Sequence, residues 1–541
     1  MAKTPFFRSV KRWLNHAHLI QRHPYLEDRR EFLRQAARQS LLAAGATASL
    51  PYLLASTGCA TGKSSPAKGP APMQGGEPVV ILGGGLAGLT AAYRLSQAGI
   101  PCEVYEAAAR LGGRVFTKDQ FNAEGMFCEL GGEFIDTTQK EILELAAELG
   151  VPIDDFLPEM RALPPHLFHF GGKIYREADI LREFAPMAEH LKRDAAKVFL
   201  DGSSPIVTYD RHGPEAKRFD RISLEQYLQS KRNDVAGWVL DAIHAAYVGE
   251  FGLDAAEQSS INLLVLLSPE MPRGPDGNPE FRIFGESDES KRIRGGNTRL
   301  IEALGRAIEP RVKVHLEHRW RAIRGSGADL ELTFLKAGTV VTRKAKQVIC
   351  AVPFTMVREI EGIDQLGLSP TKLQCIRELG YGTNSKYMQG FKERYWRQPH
   401  GDTPASLGYV FTDQPSQCFW DSSVAQKGAS GIMTNFTGGS TGRKGIAGGM
   451  AALLAHLEKI HPGIGQASDG NKVLFNWSQY GYARGSYACP RVGQYTTIMG
   501  AAKTPELGGR LLFAGEHVSE HYQGYMNGAV QSGNQAARAL Q

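Results

Sequence analysis

The chain has 541 residues, 42% of them hydrophobic and 22% charged, which suits a soluble globular protein too long for one ordinary core. Its formal charge of +6 is concentrated: of 62 Lys and Arg and 56 acids, nine and three fall in residues 1–38, leaving 53 of each sign elsewhere. That balance excludes an extended nucleic-acid-binding face. Seven cysteines (Cys59, Cys102, Cys128, Cys350, Cys375, Cys418, Cys489) show no CxxC and no regular spacing, so neither a metal site nor a disulfide framework is expected.

Residues 1–59 read as a leader. "DRREFLR" at 28–34 precedes the soft apolar stretch "SLLAAGATASLPYLLASTGC" at 40–59, and the pair resembles a twin-arginine export signal. Pro51 and the polar interruptions argue against a spanning helix, which needs about 20 apolar residues. Cys59 is a candidate for lipidation, although Ser56 stands where a lipobox usually has Leu. The expectation is export through the twin-arginine translocon to the bacterial periplasm or cell envelope. A Gly/Pro/Ser-rich linker follows at 60–75.

Next comes "EPVVILGGGLAGLTAAYRLSQAGIPCEVYE". The short apolar run Val79–Leu82 predicts a buried parallel strand, and Gly83, Gly85 and Gly88 form GxGxxG at the start of a helical pattern that includes Leu86 and Ala87. A tight turn, close approach to a pyrophosphate and close helix-on-strand packing each require one of these glycines. Glu106 follows on a second strand, eighteen residues beyond Gly88, where a ribose-binding acid belongs.

Further motifs are "ARLGGR" at 109–114, "ELGGEF" at 129–134, "IRGGNTRLIEALGRAI" at 293–308, "VICAVPF" at 348–354, "GYGTNSKYMQGFKERYW" at 380–396, "ARGSYACPRVG" at 483–493 and "FAGEHVSEHYQGYMNGAVQSGNQAARAL" at 513–540. In this order, from about residue 77 onward, the chain resembles the flavin-containing amine oxidase family, which spans monoamine oxidases and L-amino-acid oxidases. The resemblance implies an α/β fold: a Rossmann-like FAD-binding domain of the two-dinucleotide-binding type plus an interleaved α+β substrate domain. The FAD-binding domain is expected at 76–135, 288–360 and 475–541, and the substrate domain at 136–287 and 361–474.

The resemblance also implies roles. Arg110, Gly113 and Arg114 fall on the segment that contacts the FAD pyrophosphate, and Gly131, Gly132 and Glu133 on the pair near the flavin. "VHLEHRWRAI" at 314–323 falls on the adenine strand, where Trp320 replaces a small aliphatic residue at a contact made by backbone. Gly515 and Glu516 fall on the Gly-Glu turn for the ribityl and phosphate region, and Met526 beside the pyrimidine edge. Gly524, Gly528 and Gly533 are expected in the last helix, opening it to the ring at about 1 kcal/mol per glycine. Tyr487 and Tyr525 match the two cage tyrosines, and Lys386 the lysine that holds a water near flavin N5. Mammalian monoamine oxidases attach FAD through a cysteine where Ser486 stands here, so non-covalent FAD is expected.

The implied reaction is hydride transfer from the carbon next to nitrogen to flavin N5, giving an imine, then aldehyde plus ammonia or amine, and hydrogen peroxide from molecular oxygen. An L-amino-acid oxidase is the alternative. Such enzymes usually clamp the carboxylate with an Arg after the second glycine motif, where "GGEFIDTTQ" has none, but Arg161, Arg176 and Arg182 lie in the following insert. A dehydrogenase using another acceptor is the third reading. The stretch 223–252 reads as helical and is expected to cover the cavity.

Overall fold

Val79–Leu82 is apolar at every position, and no strand with a wet face has that pattern. In the computed structural model, which describes residues 76–164, 166–200, 205–270 and 281–541, it is the middle strand of a five-stranded sheet. The spatial order is Leu511–Phe513, Val348–Cys350, Val79–Leu82, Cys102–Tyr105, Lys313–His315, and all pairs are parallel. Val79 and Ile81 pack with Leu89, Ile301, Leu304 and Val530 from the helices Leu86–Gln97, Thr298–Ile308 and Met526–Arg538. Val80 and Leu82 pack with Ile323, Leu332 and Phe334 of a three-stranded antiparallel sheet, Arg319–Ser326, Asp329–Lys336 and Thr339–Ala345. Both faces are therefore dry. The leader, Cys59 and the linker lie outside the described residues.

A seven-stranded sheet runs Ser468–Asn476, Ser385–Phe391, Gly431–Thr437, Cys418–Asp421, Tyr409–Thr412, His166–Phe170, Lys173–Arg176. Lys386 pairs with Phe436 and Phe436 with Cys418, so these side chains share one face with Trp420 two residues on. The strands of the two large sheets come from different stretches of the chain, yet all described residues belong to one compact unit.

Three local readings need correction. The stretch 223–252 is two helices, Leu224–Gln229 and Gly237–Phe251, because the polar run "SKRND" at 230–234 favours turn over helix. Ser223 caps the first through a capping box with Gln226, and the second stops at Gly252 with φ +71°. The adenine strand is also split, since Glu317 at φ +60° turns the chain between Lys313–His315 and Arg319–Ser326. Finally, Gly524 (φ +88°) precedes the last helix, and the glycines inside that helix face protein. A Cβ on Gly533 would lie 2.5 Å from the Ala87 carbonyl oxygen, and one on Gly528 2.2 Å from that of Tyr522. The helix Met526–Arg538 thus rests on Leu86–Gln97 at glycine distance.

The six cysteines among the described residues are all buried and unpaired. Within the same residues no His/Cys/Asp/Glu group is arranged to hold a metal, and no helix is long and apolar enough to cross a membrane.

Gly533→Ala should lower stability by roughly 1–3 kcal/mol, the usual cost of overpacking, as a drop in urea midpoint. Gly325→Ala, where a Cβ meets nothing within 4 Å, should leave stability unchanged or raise it by about 0.4–1 kcal/mol. Equal losses in the two variants would show that the Gly533 contact is not limiting.

Candidate functional site

The carboxyl ends of the parallel strands open into a cavity of about 430 Å³. The crevice beyond strand carboxyl ends is where open α/β sheets bind ligands. All the residues named from the sequence as the lysine, the cage tyrosines and the FAD contacts line it except Gly88, whereas Gly528 and Gly533 do not. Gly88 is needed for packing instead, since a Cβ there would lie 2.0 Å from the Gly83 carbonyl oxygen.

At one end the twelve-residue helix Leu86–Gln97 starts at Gly85 with no side-chain cap and no acid in its first turn. Its free N–H groups and dipole therefore suit an anion. Gly113 faces Gly85, and a Cβ on Gly113 would reach within 3.2 Å of the Gly85 Cα. Glu106 accepts hydrogen bonds from Gly84 N (2.7 Å) and Ala108 N (2.7 Å), so it braces the glycine loop while lining the cavity. Arg110 donates to the carbonyls of Leu111, Gly113 and Val115 and lies 3.8 Å from the Phe116 ring centroid. It forms no ion pair among the described residues, whereas Arg114 pairs with Glu516 at 2.7 Å. Trp320, with its Nε1 donating to Ala322 O, closes the wall beyond Lys313–His315. These residues fit a dinucleotide: an uncapped helix start, a glycine cradle without side chains and a cation with no carboxylate partner.

In the middle, Lys386 is 4% exposed, and all three of its N–H bonds are committed. It donates to Glu129 O (3.1 Å), Gly131 O (2.9 Å) and Glu133 Oε2 (3.0 Å). Glu133 also accepts from Trp420 Nε1 (3.0 Å), Ser422 Oγ (2.8 Å) and the fully buried Arg292 (3.3 Å). Although burial opposes ionisation of Glu133, Lys386 and Arg292 hold its carboxyl below the usual range. Lys386 has no donor left for a water in this arrangement.

At the far end the hydroxyls of Tyr487 and Tyr525 converge on one residue. Tyr487 donates to the backbone carbonyl of Glu250, and Tyr525 to its Oε1 (3.2 Å). Glu250 sits at the end of the helix Gly237–Phe251 and lines the cavity, where burial pushes its carboxyl up to about 7. Asp136 accepts from Ser287 Oγ and Glu289 N (both 2.8 Å) and so fixes the segment bearing Glu289. Burial, then the neighbouring Glu250 and Asp136, push the Glu289 carboxyl well above the usual range. Arg161, Arg176 and Arg182 are exposed, and none lines the cavity. Nor does any cysteine among the described residues; Ser486 does, donating to Asn384 Oδ1 (2.5 Å).

Sequence reading missed Glu250, Glu289, Asp136 and Trp420. For Glu250 a signal existed, a single acid near the end of the apolar run "AAYVGEF" at 245–251. Glu289, at φ +45°, carried none, because its direction is set by the fold around it.

A family model described as flavin containing amine oxidoreductase matches residues 86–541. Among curated relatives, a flavin-containing amine oxidase of Danio rerio is 25% identical, with 85% of each chain covered. The flavin-dependent L-tryptophan oxidase RebO of Lentzea aerocolonigenes is also 25% identical, over 86% of this chain and 98% of the relative. Among solved structures, cyclohexylamine oxidase from Brevibacterium oxydans gives a TM-score of 0.69 at 21% identity, and putrescine-bound putrescine oxidase 0.68 at 20%. Each comparison covers 86% of this chain and 98% of that one, and each supports the same fold. With a cavity built to receive a dinucleotide and a family match over most of its length, the chain belongs to the flavin-containing amine oxidoreductases and is a flavin-dependent oxidoreductase acting on CH–NH2 groups.

Proposed function

We propose that this enzyme is a FAD-dependent oxidase of a small amine that carries no α-carboxylate, with FAD held non-covalently. The observation that carries the reading is the far end of the cavity: two tyrosines and the acids Glu250, Glu289 and Asp136 line it, and Arg161, Arg176 and Arg182 are elsewhere. An amino acid's carboxylate would find only acids, phenols and a thiol among the groups that face Glu250, whereas an ammonium meets aromatic faces and acids. The L-tryptophan oxidase among the relatives keeps the amino-acid reading as the alternative to test.

The residues divide the work by position. Gly83, Gly85, Leu86, Ala87, Glu106, Arg110, Gly113, Arg114 and Trp320 hold the nucleotide half of FAD. Gly131, Gly132, Glu133, Gly515, Glu516 and Met526 hold the ribityl and flavin half. The bound cofactor supplies the two-electron acceptor for the carbon next to nitrogen, and its reoxidation by oxygen gives hydrogen peroxide. Tyr487 and Tyr525 hold the amine between them, and water is kept out by Trp420, Phe436 and the tyrosines themselves. Lys386 contributes a fixed positive charge, because its donors are spent on Glu129, Gly131 and Glu133. The paired arginines Arg29 and Arg30 and the stretch up to Cys59 support export to the cell envelope.

Anaerobic mixing of FAD-loaded protein with benzylamine, tyramine, putrescine, L-phenylalanine and L-lysine should bleach the flavin with amines only. Bleaching by the amino acids alone would sink the amine reading. Yellow colour should stay in the supernatant after acid precipitation, since no cysteine among the described residues lines the cavity; colour in the pellet would mean a covalent link. Lys386→Met should slow reoxidation by oxygen roughly 10²-fold, as loss of one preorganised charge does, and an unchanged rate would remove Lys386 from the oxygen step.

A further inference from the structure

We infer that Glu250 binds the substrate ammonium and takes its proton, so that the amine enters the oxidation step neutral; this rests on the amine reading above. An ammonium has no lone pair with which to form an imine. One N–H bond must therefore break first, its electron pair staying on nitrogen and its proton passing to an acceptor. The cage tyrosines are poor acceptors, since burial pushes both phenols well above their usual range and keeps them protonated. Lys386 is excluded by its three committed donors.

Glu250 is positioned for the task by geometry. Oε1 accepts the Tyr525 hydroxyl, and among the described residues no hydrogen bond reaches Oε2, while the side chain lines the cavity. Its backbone carbonyl holds Tyr487, so the carboxyl is fixed relative to both rings. The groups that face it are Tyr525, Tyr487, Tyr247, Tyr409, Cys418, Asp136 and Glu289. All are acids, phenols or a thiol, and none brings a positive charge. A cationic substrate is thus the missing counter-ion. With its carboxyl raised to about 7 by burial, Glu250 is ionised enough near neutral pH to attract an ammonium and basic enough to accept its proton. Below that range it is protonated and does neither.

The Tyr525 bond gives Glu250 a structural role as well, so the test must separate the two. Anaerobic flavin reduction by benzylamine is followed from pH 6 to 10 in wild type, Glu250→Gln and Glu250→Asp. The wild-type rate at low substrate should rise through pH 7. In Glu250→Gln that rise should move up to the ionisation of the free amine, with a loss of about 10²-fold at pH 7 that largely disappears at pH 10. Glu250→Asp should keep the neutral-pH rise. A Glu250→Gln profile with the wild-type midpoint, or one lowered equally at every pH, overturns the proposal and leaves only a structural role. If no amine reduces the wild type at any pH, the amine reading itself fails and this inference with it.

A second measurement does not need the variant to fold. Benzyltrimethylammonium has no proton to give, and its binding to FAD-loaded wild type, read from the flavin spectrum, should tighten as pH rises to 7 and then level off. Affinity independent of pH would overturn the proposal.

Discussion

One buried carboxylate joins the parts of this molecule that are furthest apart in sequence. Glu516 accepts from Arg114 Nη1 (2.7 Å), Ala488 N (3.2 Å) and Gly524 N (2.8 Å). It thereby ties the "ARLGGR" segment, the segment carrying Tyr487 and the loop carrying Tyr525 to the strand Leu511–Phe513. Its side chain is only 7% exposed, and removing one partner of such a pair costs about 3–5 kcal/mol because the other charge is left buried. Cofactor end and cage end share this one anchor, so neither can shift without the other.

The cavity is divided by charge. Towards the glycine loop it presents the uncapped start of Leu86–Gln97 and Arg110; towards the tyrosines it presents Glu250, Glu289 and Asp136. Between them Lys386 and Arg292 both pair with the buried Glu133, two cations on one carboxylate. An anion is favoured at one end and a cation at the other, which is the arrangement needed to bring a flavin dinucleotide and an amine together.

The nucleotide end was legible because its requirements are local. GxGxxG, the following helix and Glu106 lie within one strand–helix–strand unit, and the resemblance supplied their order. The glycines of the last helix were legible as a close approach but not as to what approaches. Gly533 meets Ala87, more than four hundred residues away in the chain, and no periodicity carries that pairing. The substrate end was least legible. Glu250 and Tyr525 are 275 positions apart, and their contact depends on where the helix Gly237–Phe251 ends, which is fixed by Gly252 fitting against Asn384. Reading 223–252 as one helix hid that end.

The same placement explains why acids are tolerated in an apolar pocket. A carboxylate there is partly withdrawn from water and has no cation among the groups that raise it, so burial pushes it up, as it does Glu250 and Glu289. An arriving ammonium changes this, since opposite charges about 4 Å apart attract by about 4 kcal/mol at an effective dielectric of 20. The acids that burial disfavours in their charged form are thus the groups with which an ammonium would pair.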